Sequence, residues 1–363
     1  MRILYVTTGL KSGGAERVVC KLADNYFSKG HTVAILTLIS GYQVEPENQN
    51  IEIYCLDIRK NSISSMIKGL FKAVTCMKRF RADIVHSHMY HANILSRFLH
   101  VLFSKQKLIC TAHGRIEGGL VCDILYRITD SIPYISTNVS RSACKDFYSR
   151  KASMPHRMIP VYNGIDLDRF DNRYHPKRNP QRLLSVGRLA PEKNLDMILS
   201  AMKQVMSIYG DNFELWIVGN GPEYSKLSDL AAALELSGNV TFFGEMAEPE
   251  KLMSDITLFV SSSNHEGFGL AIAEAMASGV PVIVTESGGA AEIVDDPKHI
   301  VPIDDADALA IKICEFLGYS DHDLIDLGAA GRKRIKHHFS VQNEFSNWDN
   351  IYYSQYKQFK SLK

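Results

Sequence analysis

Asn264-His265-Glu266-Gly267-Phe268-Gly269-Leu270-Ala271-Ile272-Ala273-Glu274-Ala275-Met276-Ala277-Ser278-Gly279-Val280-Pro281 decides how this chain folds. Just before it, Ile256-Thr257-Leu258-Phe259-Val260 is apolar and rich in β-branched residues, as a buried strand is. Val280-Pro281-Val282-Ile283-Val284-Thr285 closes it with a second such run. Between the two lie a glycine-bearing loop and a short helix stopped by Gly279. The unit is strand–loop–helix–strand, with Glu266 and Glu274 around the helix start. The loop glycines admit a ligand close to the backbone, and the first helical turn offers unpaired N–H groups to an anion. Two carboxylates beside an anion site need a different partner, and the hydroxyls of a sugar or ribose supply one. The segment reads as a site for a molecule that is part phosphate and part polyol.

Working outward, strands and helices alternate on both sides. Strands are predicted at 2–8, 32–38, 51–56, 83–88, 108–112 and 134–137, with helices at 15–28, 62–80, 92–103 and 140–148. After a loop-like stretch at 168–180, rich in Asn, Arg and Pro, come strands 182–186, 214–218 and 240–243 and helices 194–209 and 223–236. Beyond the opening unit follow strand 299–303 and helices 306–317 and 322–337. Such alternation implies βαβ units, hence an α/β chain of two domains (1–163 and 164–340) with parallel sheets covered by helices. A last helix, 341–363, carries Phe345, Trp348, Tyr352, Tyr356 and Phe359 at helical spacing, with Lys357, Lys360 and Lys363 near its end. The aromatic stripe predicts packing back on the first domain, with a tip able to touch a membrane.

Ligands of parallel sheets bind beyond the carboxyl ends of the strands, so those turns carry the chemistry. Gly13-Gly14 opens a helix after the first strand, without the spacing of a dinucleotide fingerprint or a P-loop. His86-Ser87-His88-Met89-Tyr90-His91 ends another strand; no cysteine or carboxylate cluster is near to complete a metal site, so polar groups facing a ligand are expected. His113, beside Gly114 at the next strand end, is the candidate in this half for touching a reacting sugar. In the second half, Gly187-Arg188-Leu189-Ala190-Pro191-Glu192-Lys193-Asn194 sets a guanidinium and an ammonium between strand and helix, a pair suited to a diphosphate. Gly219-Asn220-Gly221 follows a strand too, but Tyr224 breaks the fingerprint and argues against a nicotinamide cofactor. Asp166-Leu167-Asp168 and Asp305-Ala306-Asp307 match a metal-holding Asp-x-Asp only in form.

Hydrophobic residues at 45% and charged residues at 22% describe a globular protein, and no apolar run is long enough to span a bilayer. The short apolar start at residues 2–6 reads as a first strand rather than a signal peptide. Seven cysteines without a Cys-x-x-Cys pair fit a reducing, cytoplasmic setting. The net charge of +1 conceals a split: residues 1–162 carry 22 Lys+Arg against 11 Asp+Glu, and residues 163–363 carry 19 against 29. A basic half faces anionic lipid, nucleic acid or a phosphorylated substrate. The predicted helix 62–80, with Ile63, Met66, Ile67, Leu70, Phe71, Val74, Met77 and Phe80 as its apolar set and Lys68, Lys72, Lys78 and Arg79 as its basic face, reads as packed on the sheet by the apolar set with that basic face solvated, or with that face resting on lipid headgroups; the two are compatible.

Glu266 and Glu274 form the Glu-x7-Glu pattern of retaining glycosyltransferases. With Gly13-Gly14-Ala15-Glu16-Arg17, Gly187-Arg188 and Lys193-Asn194, Asn163-Gly164-Ile165-Asp166 and Gly219-x-Gly221 in order, nearly the whole chain resembles the family-4 (group 1) glycosyltransferases of the glycosyltransferase-B fold. The resemblance implies two Rossmann-like domains facing a cleft and a nucleotide-sugar held mostly by the second. It assigns Arg188 and Lys193 to the diphosphate, Glu274 to the ribose and Glu266 to the transferred sugar. The backbone of Gly267, Phe268, Gly269 and Leu270 would meet the diphosphate and sugar, and Gly244 would lie near the base. Gly14 would approach the diphosphate, His113 the sugar, and Glu16 and His88 the acceptor. No metal or other cofactor is implied, the nucleotide-sugar being a co-substrate. The run 83–93 is similar to bacterial members that build O-antigen, capsule or exopolysaccharide. The expected partners are a uridine-diphosphate sugar, a lipid-linked saccharide acceptor and the anionic cytoplasmic face of the inner membrane, with no nucleic acid. The rival readings are an epimerase of the same fold, which would need no acceptor, and an inactive transferase serving an assembly, against which the intact Arg188, Lys193, Glu266 and Glu274 speak.

Overall fold

The computed structural model describes residues 1–11, 13–103, 106–115, 117–170, 174–177, 179–210 and 212–360, with the backbone alone from 355. The chain forms two compact units, Met1–Asn163 with Glu344–Lys363, and Gly164–Asn343.

Unit 1 runs β1 (Arg2–Thr7), α1 (Gly14–Ser28), β2 (Thr32–Thr37), β3 (Glu52–Cys55), α2 (Ile63–Phe80), β4 (Ile84–His88), α3 (Tyr90–Leu102), β5 (Lys107–Ala112), α4 (Leu120–Ile128), β6 (Ile135–Asn138), α5 (Arg141–Ser149) and β7 (Met158–Pro160). Its strands pair in parallel in the order β3-β2-β1-β4-β5-β6-β7, so the order reverses between β1 and β4. Alternate residues of β1 serve opposite layers. Ile3 and Tyr5 join the core under α1, and Leu4 and Val6 join the core under α2 and α3.

Among the described residues one strand and two α-helices were not read from the sequence here or in unit 2. β7 is a three-residue edge strand ending in Pro160, too short for a period and tolerant of proline because it is an edge. α4 fills the crossover that parallel β5 and β6 require, which is the signal that would have located it. Helix α2 also corrects its predicted packing. Its contact with the sheet is made by Gly69, Ala73, Cys76, Met77 and Phe80, while Ile63, Met66, Ile67 and Phe71 are more than half exposed. Small residues bring this helix close to the sheet, and half of its large apolar side chains are left outside.

Unit 2 runs β8 (Gln181–Val186), α6 (Leu195–Tyr209), β9 (Phe213–Val218), α7 (Tyr224–Ala233), β10 (Val240–Gly244), β11 (Leu258–Ser261), α8 (Leu270–Ala277), β12 (Val282–Thr285), α9 (Gly289–Val294), β13 (Ile300–Val301), α10 (Ala306–Gly318) and α11 (Asp321–His338). The strands are again parallel, in the order β10-β9-β8-β11-β12-β13, and the order reverses between β8 and β11. α9, the third unread element, is six residues long and starts on Gly288-Gly289, which reads as a turn. Of the predicted loop 168–180, residues 171–173 and 178 lie outside the described residues.

The last helix, α12 (Val341–Lys360), contributes its residues from Glu344 to unit 1. Trp348 and Tyr352 are buried among Ile3, Tyr5, Tyr26 and Ile84, with Phe345 packed against the same cluster. Asp349 accepts hydrogen bonds from the Tyr26 hydroxyl (2.9 Å) and the Lys29 ammonium (2.8 Å). The side chains of Tyr356, Lys357, Phe359 and Lys360, and Lys363 as a whole, lie outside the described residues. Among the described residues no helix is long and apolar enough to cross a membrane. Removing a fully packed indole leaves a cavity, so Trp348→Ala is expected to cost about 3–5 kcal/mol. Urea denaturation checks this, and a loss below about 1 kcal/mol would show that α12 is not part of the unit 1 core.

Candidate functional site

In unit 2 the turns after β8 and β11 meet at the point where the strand order reverses, the place where open parallel sheets take ligands. A single 3₁₀ turn, Pro191–Lys193, follows β8 and ends on Asn194 in the left-handed conformation (φ 49°). From there the Lys193 ammonium reaches the Glu266 carboxylate at 2.6 Å, and the Ser263 hydroxyl donates to the same oxygen at 3.1 Å. Backbone bonds hold the two turns together: the Asn264 amide donates to the Glu192 carbonyl (2.9 Å), and the Ser262 hydroxyl to those of Lys193 and Asn194 (2.8 Å each). Arg188 is exposed and pairs with Glu192, whose carboxyl it holds below the usual range against the upward push of partial burial. A narrow recess lined by Gly187, Arg188, Lys193, Ser262 and Ser263 lies between these groups.

The glycines of this half are close-approach devices. A Cβ at Gly219 would strike the Gly187 carbonyl, and one at Gly221 the Leu189 carbonyl, so Gly219-x-Gly221 lets the β9 turn press against the turn carrying Arg188. Hydrogen bonds from Gly187 to Val218 and from Leu189 to Asn220 fix that contact. A Cβ at Gly289 would strike the Gly267 carbonyl, and Glu266 pairs with Gly288 in an isolated β-bridge. The loop after β12 thereby clamps the backbone of Glu266. Gly269 (φ 101°) then turns the chain into α8, whose first amides have no helical carbonyl to bond. The Phe268 ring is buried against Phe339, which leaves only its backbone for a ligand. Glu274 is partly buried on α8. Gly244 ends the edge strand β10 with open space beyond it, and its carbonyl accepts from the Gly219 amide (2.7 Å).

In unit 1 the corresponding edge carries a neutral network. His86 Nδ1 lies 2.5 Å from the Tyr352 hydroxyl and His86 Nε2 2.7 Å from Thr111 Oγ1. His88 Nδ1 lies 2.9 Å from His113 Nε2, and the His86 and His88 rings are 4.0 Å apart. The His113 amide donates to Glu117 Oε1 (2.8 Å), and Tyr126 donates to Glu117 Oε2 (2.5 Å). Burial holds all three imidazoles below their ordinary range, His113 down to about 4, and raises the Glu117 carboxyl despite those two bonds.

Residues 168–334 match the model of "Glycosyl transferases group 1", and residues 12–169 match that of "Glycosyltransferase Family 4". The chain belongs to this glycosyltransferase family. It is 23% identical to N-acetyl-alpha-D-glucosaminyl L-malate synthase of Bacillus anthracis, over 97% of this chain and 96% of that one. It is 24% identical to the O-antigen biosynthesis glycosyltransferase WclY of Escherichia coli over 99% of both. Anabaena HepE, solved in complex with UDP and glucose, superposes with a TM-score of 0.83 at 17% identity, covering 98% of this chain and all of that one. The two parallel-sheet units are those of the glycosyltransferase-B fold.

Set on this glycosyltransferase, Arg188, Lys193, Glu266 and residues 267–270 come together at one edge of unit 2, while Gly14, Glu16, His88 and His113 belong to unit 1. His88 is fully buried, so it meets a ligand only through His113; a direct acceptor contact, as the sequence suggested, does not fit. The Glu16 carboxylate folds back against Gly13 over the start of α1, sharing the ground given to Gly14. Both Asp-x-Asp pairs have structural uses: Asp166 accepts from the Asp168 amide (3.2 Å), and Asp305 caps α10 through the Ala308 amide (2.8 Å). Sequence reasoning missed Ser262, Ser263, Gly288 and Ser287, whose carbonyl accepts from the Glu266 amide (3.1 Å), although the polar run straight after an apolar strand was the available signal.

The three depressed histidines set a pH dependence. Each is neutral in the folded chain and takes up a proton on unfolding below about pH 6.5, so its contribution is complete above that pH. Stability is expected to fall as pH drops from about 6.5 toward 4, by up to about 1.4 kcal/mol per pH unit for each histidine. Glu117, whose carboxyl burial raises, opposes this as pH falls from its raised folded value to the ordinary carboxylate range. Urea titrations at stepped pH measure the slope, and His113→Asn should make it shallower.

Proposed function

We propose that this glycosyltransferase moves a hexose or N-acetylhexosamine, with retention, from a uridine-diphosphate sugar to a lipid-linked saccharide in bacterial surface-polysaccharide synthesis. The observation that carries the reading is the 2.6 Å contact between Lys193 and Glu266 beside Arg188 and the start of α8. It joins a group for a diphosphate to a group for sugar hydroxyls in one site. HepE, bound to UDP and glucose, and WclY, an O-antigen enzyme, support the donor and the pathway. The basic charge of the first half supports an acceptor presented at an anionic membrane, on the cytoplasmic side.

An arriving diphosphate would draw Lys193 away from Glu266. The released carboxylate then accepts hydrogen bonds from the sugar, and Glu274 those from the ribose. As the glycosidic bond breaks, negative charge grows on the diphosphate. Arg188, Lys193 and the α8 amides face it more strongly in the transition state than before. Two cations and a helix start perform the neutralisation that a metal performs elsewhere, so the reading needs none. Same-face attack, with the leaving phosphate taking the acceptor's proton, gives retention.

The test is a panel of nucleotide-sugars with lipid-linked saccharide acceptors, following product and anomeric configuration. A product of retained configuration is expected without added metal. An inverted product would overturn retention, and donor interconversion without acceptor would favour an epimerase. Glu266→Gln should slow transfer about 100-fold or more. It should also tighten UDP binding about threefold to tenfold, because Lys193 no longer has a competing carboxylate. Arg188→Ala should weaken both, and full activity in these two variants would remove the site.

A further inference from the structure

We infer that the first halves of α2 and α4 form the surface by which unit 1 docks on an anionic lipid bilayer, with apolar side chains entering the headgroup layer. The inference deepens the membrane part of the proposed function, although its evidence is separate from the sugar site.

On α2, Ile63 is 76% exposed and Phe71 71%, with Met66 and Ile67 also more than half exposed. On α4, Leu120 is 75% and Val121 70% exposed, with Ile124 beside them. Large apolar side chains scattered singly on a surface need no explanation, but two helix starts presenting seven do. Both helices rest on the sheet through other residues: α2 through its small ones, α4 through Tyr126, whose hydroxyl accepts from Asn93 (3.0 Å) and whose ring lies under Arg97 of α3. These side chains are therefore not needed to hold the helices in place. A helix that follows a parallel strand begins at that strand's carboxyl edge. Both groups accordingly lie toward the edge at which His113 sits and at which such sheets bind ligands.

Charge decides between the possible occupants. Lys60, just before α2, and Lys68 and Lys72 on it are exposed, with Arg127 on α4. Between residues 58 and 116 the only acidic residue is Asp83, and it accepts from the Arg2 amide (2.7 Å) at the opposite edge of the sheet. The one acid on α4, Asp123, is paired with Arg150 (3.1 Å). A second copy brought face to face would oppose lysines to lysines. A bilayer with anionic headgroups takes both the apolar side chains and the cations, the pairing that interfacial helices use.

The test uses the whole protein and two vesicle preparations, phosphatidylcholine alone and phosphatidylcholine with roughly one-third phosphatidylglycerol. Two variants alter only exposed residues: L120S/V121S/I124S and K60E/K68E. The wild type is expected to co-sediment with the anionic vesicles about tenfold more than with the neutral ones, and each variant to lose about tenfold. The serine variant should lose the fraction that survives high salt, and the glutamate variant the salt-sensitive fraction. No binding by the wild type at low salt, or unchanged binding by both variants, would overturn the inference. So would a wild-type dimer, seen in sedimentation without vesicles, that the serine variant dissolves. Transfer to a short soluble acceptor should be equal in all three proteins. Vesicle binding without any transfer would leave the docking surface standing and remove the transferase reading instead.

Discussion

A lysine after β8 and a glutamate after β11 hold each other at 2.6 Å, and the arrangement of unit 2 around them makes that contact specific. On an open surface such a pair contributes little, because two long side chains must be ordered and water competes. Here the backbone does the ordering. The Glu192 carbonyl and the Asn264 amide tie the two turns, Ser262 holds the carbonyls of the lysine's own turn, and Gly288 bridges to Glu266 from the other side. The glycines at 219, 221 and 289 are what let the turns after β8, β9, β11 and β12 approach so closely. The site proposed for a polyanion and a polyol holds opposite charges near each other. Pairing them with one another keeps both oriented and avoids leaving either uncompensated.

Unit 1 uses the same sheet logic with different chemistry at its edge. Where unit 2 has ions, unit 1 has imidazoles, tyrosines and threonines linked by hydrogen bonds and held neutral by burial. Tyr352, eleven residues from the chain's end, closes that network from the side of α12, and Trp348 packs against the His86 ring with centroids 4.5 Å apart. Unit 1, most of which precedes unit 2 in the chain, is thus completed by residues that follow unit 2. Its edge network exists in finished form only after unit 2 has been synthesised, which couples the folding of the two in time.

Much of this was legible in the sequence, and for a plain reason. Apolar runs such as 256–260 and 282–285 fill both-faces-buried strands, so the parallel sheets announce themselves, and a parallel sheet says where ligands go. Lys193 and Glu266 could be named because strand ends were the places to look. Their contact could not, since it depends on the φ of Asn194 and on the bridge to Gly288, which no local pattern encodes. His88 misled for the converse reason: a polar residue at a strand end looks ligand-facing, and only the tertiary position of His113 shows it to lie beneath. For α2 the period was right but only part of the face: Leu70, Val74, Met77 and Phe80 pack on the core, while Ile63, Met66, Ile67 and Phe71 do not. Gly69, Ala73 and Cys76 carry little hydrophobic weight in a sequence, yet they are the residues that fit against the sheet.

The charge split takes on a physical meaning once the units are delimited. Counted over its residues, unit 1 carries +12 and unit 2 −11, which together leave the chain's +1. Taken as a net field, an acidic unit is a poor place for a diphosphate. Net charge, however, acts beyond a screening length of about 8 Å only weakly, whereas Arg188 and Lys193, which line one recess, would act in direct contact with the proposed diphosphate. Unit 2 therefore needs its cations preset at one spot, and the clamped turns provide that. The bilayer proposed for unit 1 is the opposite kind of partner. It offers many charges at no fixed positions, and what meets it best is a diffuse surplus on a face that needs no geometry beyond exposed lysines and apolar tips. The precise site and the diffuse one thus fall on different units because they obey different laws of distance.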